Sequence, residues 1–178
     1  MIVLLNGPPG VGKGVIAHEL TQQVVGLKEF SFANRLHEIA IVTTGLHRNV
    51  YFAMYNNREM KDVPQKEFLG FSPRRLIQVL AEDMYKPVFG DDYFAKQMAE
   101  ECAPHGLVVF DDLGFQVELD TMVEKFGAEE ITVLRIHRDG CDFEVDTRKY
   151  LYPPNVRSFR IDNNGTIPGV VDRIIRFT

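Results

Sequence analysis

Cysteine is scarce in this 178-residue chain: there are two, Cys102 and Cys141, far apart and in no CxxC or Cys/His spacing. This scarcity argues against a disulfide framework, which needs several pairs, and against a structural zinc site, which needs closely spaced ligands. A reducing cytosol is the default environment for such a composition.

Long apolar runs are also missing, and none approaches the roughly 20 residues of a membrane span. The N-terminus begins directly with a strand pattern and lacks the basic segment of a signal peptide. Positive charge is not in excess, since 20 Lys and Arg against 25 Asp and Glu give a net charge of -5. We therefore expect an intracellular protein without a membrane or polymeric nucleic acid as partner, although a local basic pocket is compatible with this balance.

The order of apolar patterns predicts a parallel α/β fold. Near-continuous apolar strands separated by helices are typical of a parallel sheet covered on both faces, which here gives a three-layer α/β/α fold with five mostly parallel strands. Strands are expected at 2–6, 30–32, 107–110, 131–136 and 156–161, and helices at 13–24, 34–44, 73–85, 92–102, 116–126 and 168–176. Residues 47–71 are interpreted as a polar excursion over the surface and 137–155 as a charged, lid-like segment. No linker divides the chain, so a single domain over residues 1–178 is expected.

The stretch NGPPGVGKG, residues 6–14, lies between the first strand and the first helix. It fits the phosphate-binding pattern G-x-x-x-x-G-K-[S/T] at Gly7, Gly12 and Lys13, but Gly14 stands where the pattern has a hydroxyl. In this context glycines let backbone N–H groups point at phosphate oxygens, and the helix N-terminus adds partial positive charge. Lys13 would reach the outer phosphates. The alternative is a glycine-rich turn with an incidental lysine.

A second basic site is predicted in the stretch FSPRRLIQ, residues 71–78. Ser72 and Pro73 supply an N-cap and a first-turn proline, so Arg74 and Arg75 fall in the first turn of a helix. Cations there oppose the helix dipole, and an anion bound between them would make the arrangement favourable. The alternative is a pair of surface arginines that are bonded to Asp or Glu elsewhere.

The phosphate-binding loop also carries a resemblance to known enzymes. Its form G-x-P-G-x-G-K-G, from Gly7 to Gly14, resembles adenylate kinase and related nucleoside monophosphate kinases. Those enzymes hold magnesium largely through water, acidic side chains and the phosphates, which would account for the missing hydroxyl. They usually have a threonine at the next position, where this chain has Val15.

The chain resembles the bacteriophage deoxynucleoside monophosphate kinase family over nearly its whole length. Four elements carry this resemblance and occur in the same order: the loop, Phe32-Ala33, SPRRLIQ, and RIHRDG at 135–140. The resemblance implies a P-loop NTPase fold and transfer of the γ-phosphate of ATP to a deoxynucleoside monophosphate (dNMP), with Mg2+ as cofactor and a helical, acceptor-binding insertion over 47–104. The ATP-binding residues it implies are Gly7, Gly10, Val11, Gly12, Lys13, Gly14, Val15 and Arg138. The dNMP-binding residues it implies are Arg35, His37, Arg74, Arg75 and Gln78.

The end of the strand at 107–110 supplies the expected metal site. Asp111 follows the apolar run as a Walker-B aspartate would, whereas the resemblance favours Asp112, from the family's strand-D-x-R segment with its later glutamate, here Glu118. One of the two aspartates is expected to hold Mg2+ through water. The arginine of that segment is missing, because Gly114 stands in its place. The catalytic residues expected from the resemblance are Lys13, Arg74, Asp112 and Arg138.

Three alternatives stay open at this point. The lid-like segment also offers Arg148 and Lys149 to phosphates, but a surface role is weighed at least equally for both. The acceptor could be another small molecule, such as dephospho-coenzyme A or a hydroxylated metabolite. The chain could also be a non-catalytic nucleotide-binding module in which Gly14 and Val15 mark decay.

A homodimer is left open, and the location expected is the cytoplasm, the host's if the chain is viral.

Overall fold

The structure is a computed structural model that describes residues 1–144 and 146–176. Its strands form one sheet in the order β2-β3-β1-β4-β5, and every neighbouring pair is parallel. This arrangement confirms the predicted α/β fold class and its five-stranded parallel sheet. The strands are β1 Ile2–Asn6, β2 Leu27–Phe30, β3 Leu107–Leu113, β4 Ile131–His137 and β5 Arg157–Asp162.

The helices cover both faces of this sheet, as the apolar strands predicted. Because successive side chains of a strand point to opposite faces, Ile2 and Leu4 pack in one core cluster with α6 and α7, and Val3 and Leu5 in another with α1 and α8. The result is the predicted three-layer arrangement. The helices are α1 Lys13–Gln23, α2 Asn34–Thr44, α3 Arg48–Asn56, α4 Pro73–Gln78, α5 Lys86–Phe89, α6 Tyr93–Cys102, α7 Gln116–Phe126 and α8 Ile167–Ile175. In the described part of the chain, none has the length and apolar character of a membrane span.

Several predicted boundaries are wrong. The second strand was expected at 30–32, but β2 starts at Leu27 and includes the exposed Lys28 and Glu29, which an edge strand tolerates. The polar segment 47–71 contains α3 and a 3-10 turn at Lys66–Phe68. Helix α4 changes to π-helical geometry over Val79–Tyr85 before α5, so 73–85 is not one regular helix.

The chain divides into two compact units, one formed by residues 1–32 and 95–178 and the other by residues 33–94. The first unit contains the whole sheet. The second has its own apolar core, in which Tyr51 and Phe68 are fully buried beside Leu76 and Leu80. The expected organisation, one kinase domain with a helical insertion over 47–104 and a lid-like segment over 137–155, stays a prediction.

The carboxyl ends of the parallel strands lie at one edge of the sheet. Ligands of open α/β sheets bind outside this edge, where the connecting loops meet. Here the edge carries the loop after Asn6, the end of β3 at Asp111–Leu113 and the segments that follow β4 and β5. All of them belong to the first unit.

Candidate phosphate-binding site

The loop between β1 and α1 requires its glycines. Gly10 and Gly12 have φ angles of 80° and 95°, which other residues rarely adopt. A Cβ atom on Gly7 would lie 2.6 Å from the carbonyl oxygen of Ile136, and one on Gly12 would lie 2.7 Å from Nδ2 of Asn163. The turn is therefore a closely fitted loop at the start of a helix, the geometry in which backbone N–H groups bind phosphate.

The side chain of Lys13 folds back over this loop. Its Nζ donates hydrogen bonds to the carbonyl oxygens of Gly7, at 2.7 Å, and Pro8, at 3.1 Å. Burial, together with the nearby charge of Arg148, lowers the pKa of Lys13 to about 8, while Asp111 and other carboxylates oppose the shift. A phosphate oxygen near Nζ would supply the full negative charge that neutral carbonyls do not provide.

Two buried asparagines, Asn163 and Asn6, hold the segments around the loop; from the sequence Asn163 was expected in a turn, with an adenine contact as the less favoured alternative, and Asn6 had no expected role. Asn163 donates from Nδ2 to the carbonyl oxygen of Val11 at 2.7 Å. Asn6 donates to the carbonyl oxygens of Leu113 and Lys149 and accepts from the backbone N–H of Leu151. The sequence signal for Asn6 was a polar residue at the end of an otherwise apolar strand, and the signal for Asn163 was its place just after a strand, at the edge where the site lies.

The missing hydroxyl at position 14 has a steric explanation. A Cβ atom on Gly14 would lie 3.2 Å from Oδ2 of Asp111, closer than a side chain comfortably fits. A carboxylate thus stands beside the position from which the usual serine or threonine would project. Burial raises the pKa of Asp111 to about 7, with Asp112 and Glu29 adding repulsion and Lys13 opposing the shift. This carboxylate lacks full compensation by positive charge.

Asp112 has a different environment from Asp111. Its carboxylate accepts a hydrogen bond from Oγ of Ser31 at 2.6 Å and another from the backbone N–H of Phe32 at 2.9 Å. These bonds fix the chain just after β2. Both oxygens of Asp112 thus take part in the fold, although the resemblance placed Asp112 at the metal.

The donor set suits a divalent cation bound together with a nucleotide. Asp111, Asp112 and Asp146 all act on the charge of Lys13, with Arg148 as the other cation nearby. Burial and the charge of Asp112 also raise the pKa of Glu118 to about 7. Within the described residues no group of three or more potential ligands is arranged to hold a metal alone. Mg2+ is commonly held by one or two carboxylates, phosphates and water, and Asp111 fits the protein's share.

The predicted acceptor arginines lie in the second unit, each paired with an aspartate. Nε of Arg74 lies 2.6 Å from Asp62, and Nη2 of Arg75 lies 3.4 Å from Asp83. Both arginine side chains are about half exposed, and Gln78 is exposed one turn later. The surface pairing weighed as the alternative is thus present.

The other two predicted acceptor residues also make contacts within the second unit. Arg35 forms an ion pair of 2.6 Å with Glu38. His37 is buried and bonded through Nδ1 to the hydroxyl of Tyr51 at 2.8 Å, with Tyr55 against its ring. A rim position was expected for His37, but its side chain belongs to the core of this unit.

The remaining predicted ATP residues differ in exposure. Val11 is fully buried and its carbonyl is bonded to Asn163, whereas Val15 is 58% exposed at the start of α1. Arg138 is exposed on the turn after β4. Arg148, to which a surface role was given equal weight, is half-buried and lies across Gly114.

No protein-family model matches the chain, and no curated protein matches it significantly. Among solved structures, the chain is similar to an unliganded sugar kinase from Janibacter sp., with TM-score 0.55 and 13% identity over 98% of this chain and 92% of that one. It is also similar to a gluconokinase from Sinorhizobium meliloti, with TM-score 0.50 and 13% identity over 98% and 89% of the two chains. A tunicamycin resistance protein from Deinococcus radiodurans gives TM-score 0.52 and 13% identity over 99% and 94%. At these identities the similarity shows a shared fold and nothing beyond it.

Proposed function

We propose that this chain is an ATP-dependent phosphotransferase that acts on a small acceptor. The observation that carries the proposal is the fitted glycine loop with Lys13 folded over it and the Asp111 carboxylate beside Gly14. A glycine loop, a lysine ammonium group and a carboxylate at one edge of the sheet are what a nucleoside triphosphate requires for binding. That solved structures of the same fold are described as kinases adds support.

In the proposed reaction the bond between the γ-phosphorus and the β–γ bridging oxygen breaks, and its electron pair stays on ADP. An oxygen of the acceptor forms the new bond to phosphorus. The loop N–H groups and Lys13 hold the donor, Arg138 neutralises charge on the ATP side, and Asp111 is the residue that would hold Mg2+ through water. Bound Mg2+ would supply charge neutralisation on the donor phosphates. Catalysis of this kind depends mainly on alignment and electrostatic stabilisation.

The acceptor we propose is a dNMP held by Arg74 and Arg75. Their aspartate partners are exposed, and exposed ion pairs contribute only about 0–1 kcal/mol, so a phosphate can replace them. An arginine fork matches phosphate oxygens better than a carboxylate on a flexible surface side chain does. Gln78 would contact the base and Arg35 the pocket rim. A phosphate dianion attacks without losing a proton, so this acceptor needs no general base.

A second candidate acceptor is the hydroxyl of a sugar or sugar acid. It is favoured by the similarity to a sugar kinase and a gluconokinase. A hydroxyl must lose its proton during transfer, so this reaction requires a base that the dNMP reaction does not. A non-catalytic nucleotide-binding module is the third possibility, in which the loop binds ATP without turnover.

A coupled assay of ADP release separates these candidates. The purified chain is given Mg-ATP with each of the four dNMPs, with gluconate and with dephospho-coenzyme A, and the phosphorylated product is identified by mass. We expect ADP release that depends on at least one dNMP and yields the matching dNDP. If only gluconate or only dephospho-coenzyme A supports turnover, that molecule and not a dNMP is the acceptor. ATP binding without any turnover would favour the binding module.

A further inference from the structure

Position 114 has no room for a side chain. Gly114 is buried directly after β3, and a Cβ atom on it would lie 2.3 Å from Cδ and 3.0 Å from Cγ of Arg148. Contacts this close do not occur between real side-chain atoms, so any larger residue would displace the arginine. The backbone N–H of Gly114 is bonded to Glu118 at 2.9 Å, which fixes the turn beneath Arg148.

The guanidinium group of Arg148 is held in place from its own segment. Its Nε and Nη2 donate to the carboxylate of Asp146, and its backbone N–H donates to the same carboxylate at 2.9 Å. Asn6 holds the next residues to the sheet through the carbonyl oxygen of Lys149 and the N–H of Leu151. Among the described residues, the side-chain bonds of Arg148 use Nε and Nη2, so the two N–H groups of Nη1 can donate to a ligand.

Arg148 and Lys13 are two neighbouring cations among the carboxylates of Asp112, Asp146 and Glu118. Arg148 is close enough to Lys13 for its positive charge to lower the pKa of the lysine. The Arg148 side chain is only 24% exposed, so solvent screens this repulsion incompletely. A phosphate oxygen shared by the two cations would turn the repulsion into two attractions.

We propose that Arg148 binds the γ-phosphoryl group during its transfer, and that residue 114 is glycine so that this arginine can reach the site from the later segment. Arg148 would thus take the place of the arginine that the family's strand-D-x-R segment has where this chain has Gly114. This inference rests on the proposed phosphotransferase function. As the γ-phosphorus leaves the bridging oxygen for the acceptor oxygen, Arg148 donates hydrogen bonds to the oxygens on which negative charge is spread, and it gains or loses no proton.

Two sets of variants test this inference. Arg148→Gln keeps the Cγ and Cδ atoms that lie over Gly114 but removes the charged guanidinium group. Arg148→Gly with Gly114→Arg moves the arginine to position 114, and each single change provides the comparison. Arg157→Ala is the matched control, since Arg157 is an exposed arginine at the amino end of β5, away from the edge that carries the loop. Circular dichroism and melting temperature report whether each variant folds.

We expect Arg148→Gln to lower turnover by about 100-fold, the typical effect of losing one preorganised contact to developing charge. By calorimetry it should weaken binding of Mg-ATP by about 10-fold or more while changing Mg-ADP binding little, because only ATP carries the γ-phosphate. The exchanged double variant should recover most of the turnover that Arg148→Gly loses, and Gly114→Arg alone should be impaired by the clash. Arg157→Ala should behave as the unmodified chain.

The outcomes also separate this inference from the proposed function. If the unmodified chain transfers phosphate and Arg148→Gln retains near-normal turnover and ATP affinity, the assignment of Arg148 is overturned while the function stands. If the unmodified chain transfers phosphate to no acceptor, the proposed function fails. The ratio of Mg-ATP affinity to Mg-ADP affinity then still decides whether Arg148 contacts the γ-phosphate. If Arg148→Gln has the same ratio as the unmodified chain, the inference is overturned.

Discussion

At the scale of single residues, the two aspartates at the end of β3 have different surroundings, and we propose the metal role for Asp111 alone. Asp111 lies beside Gly14 and is poorly compensated by positive charge. Asp112 accepts hydrogen bonds from Ser31 and Phe32 and holds the chain after β2. Adjacent residues of a strand point to opposite sides, so one aspartate cannot simply replace the other.

We therefore expect different results from Asp111→Asn and Asp112→Asn. Asp111→Asn should lower turnover and raise the Mg2+ concentration for half-maximal activity, with melting temperature unchanged or higher because a buried charge is removed. Asp112→Asn should lower the free energy of unfolding by about 1–2 kcal/mol, since an amide NH2 cannot accept a hydrogen bond. Ser31→Ala, which removes one of the same bonds, is the control for the second effect. If Asp112→Asn shifts the Mg2+ dependence and Asp111→Asn does not, Asp112 and not Asp111 holds the metal.

At the scale of elements, the first turn of α4 is an unusual place for two arginines. Ser72 caps the helix by accepting from the N–H of Arg75, so the fold is satisfied without any help from the guanidinium groups. Their ion pairs with Asp62 and Asp83 are exposed and contribute little. The arginines are therefore available for a ligand.

Arg74→Ala or Arg75→Ala should weaken dNMP binding by about 1.5–3 kcal/mol, the range for a charge-assisted hydrogen bond. This corresponds to a rise of roughly 10- to 150-fold in the dissociation constant, with ATP binding nearly intact. Lysine should not restore affinity fully, because a point charge lacks the fork. Titration calorimetry with each dNMP measures this, with the exposed Arg58→Ala as control from the same unit. Unchanged dNMP affinity in both variants would remove these arginines from the acceptor site.

Helices α2 and α3 are joined by a buried histidine whose protonation opposes folding. Burial, together with the charges of Lys61 and Arg48, lowers the pKa of His37 to about 4. An unfolded chain takes up this proton at a pH of about 6.5, so below that pH protonation favours the unfolded state. The stability contributed by the neutral ring is thus complete above about pH 6.5 and is lost as the pH falls towards 4.

We expect the free energy of unfolding to fall by about 2 kcal/mol between pH 6.5 and pH 5, because the unfolded chain takes up a proton at His37 and the folded chain does not. The limiting slope for one proton is about 1.36 kcal/mol per pH unit. Urea unfolding followed by circular dichroism at several pH values measures the slope. His37→Gln keeps a hydrogen-bonding group but does not titrate, so its slope in this range should be smaller. Equal slopes for the two proteins would show that the ring is not buried in its neutral form.

At the scale of the whole molecule, the parts fixed by local pattern were predictable and those fixed by distant contacts were not. The sheet and the phosphate loop follow from apolar runs, glycines and a lysine that are adjacent in sequence. Helix α3 was missed because the segment 47–71 is rich in Asn, Lys and Arg, and the stripe of Tyr51, Met54 and Tyr55 within it is only about one turn long. The place of Arg148 depends on Gly114, far away in the sequence, and the only local sign was an unexpected glycine.

The central claim is that the loop of residues 7–14 holds the phosphates of ATP for transfer, and Lys13→Ala tests it most directly. Among the described residues, the Nζ group of Lys13 is bonded only to two carbonyl oxygens of its own loop, so its loss should leave the fold intact. Turnover of Mg-ATP with the preferred acceptor should fall about 100-fold or more, because loop N–H groups cannot replace a charge that stays with the outer phosphates in the transition state. A folded Lys13→Ala protein with near-normal turnover would contradict the account.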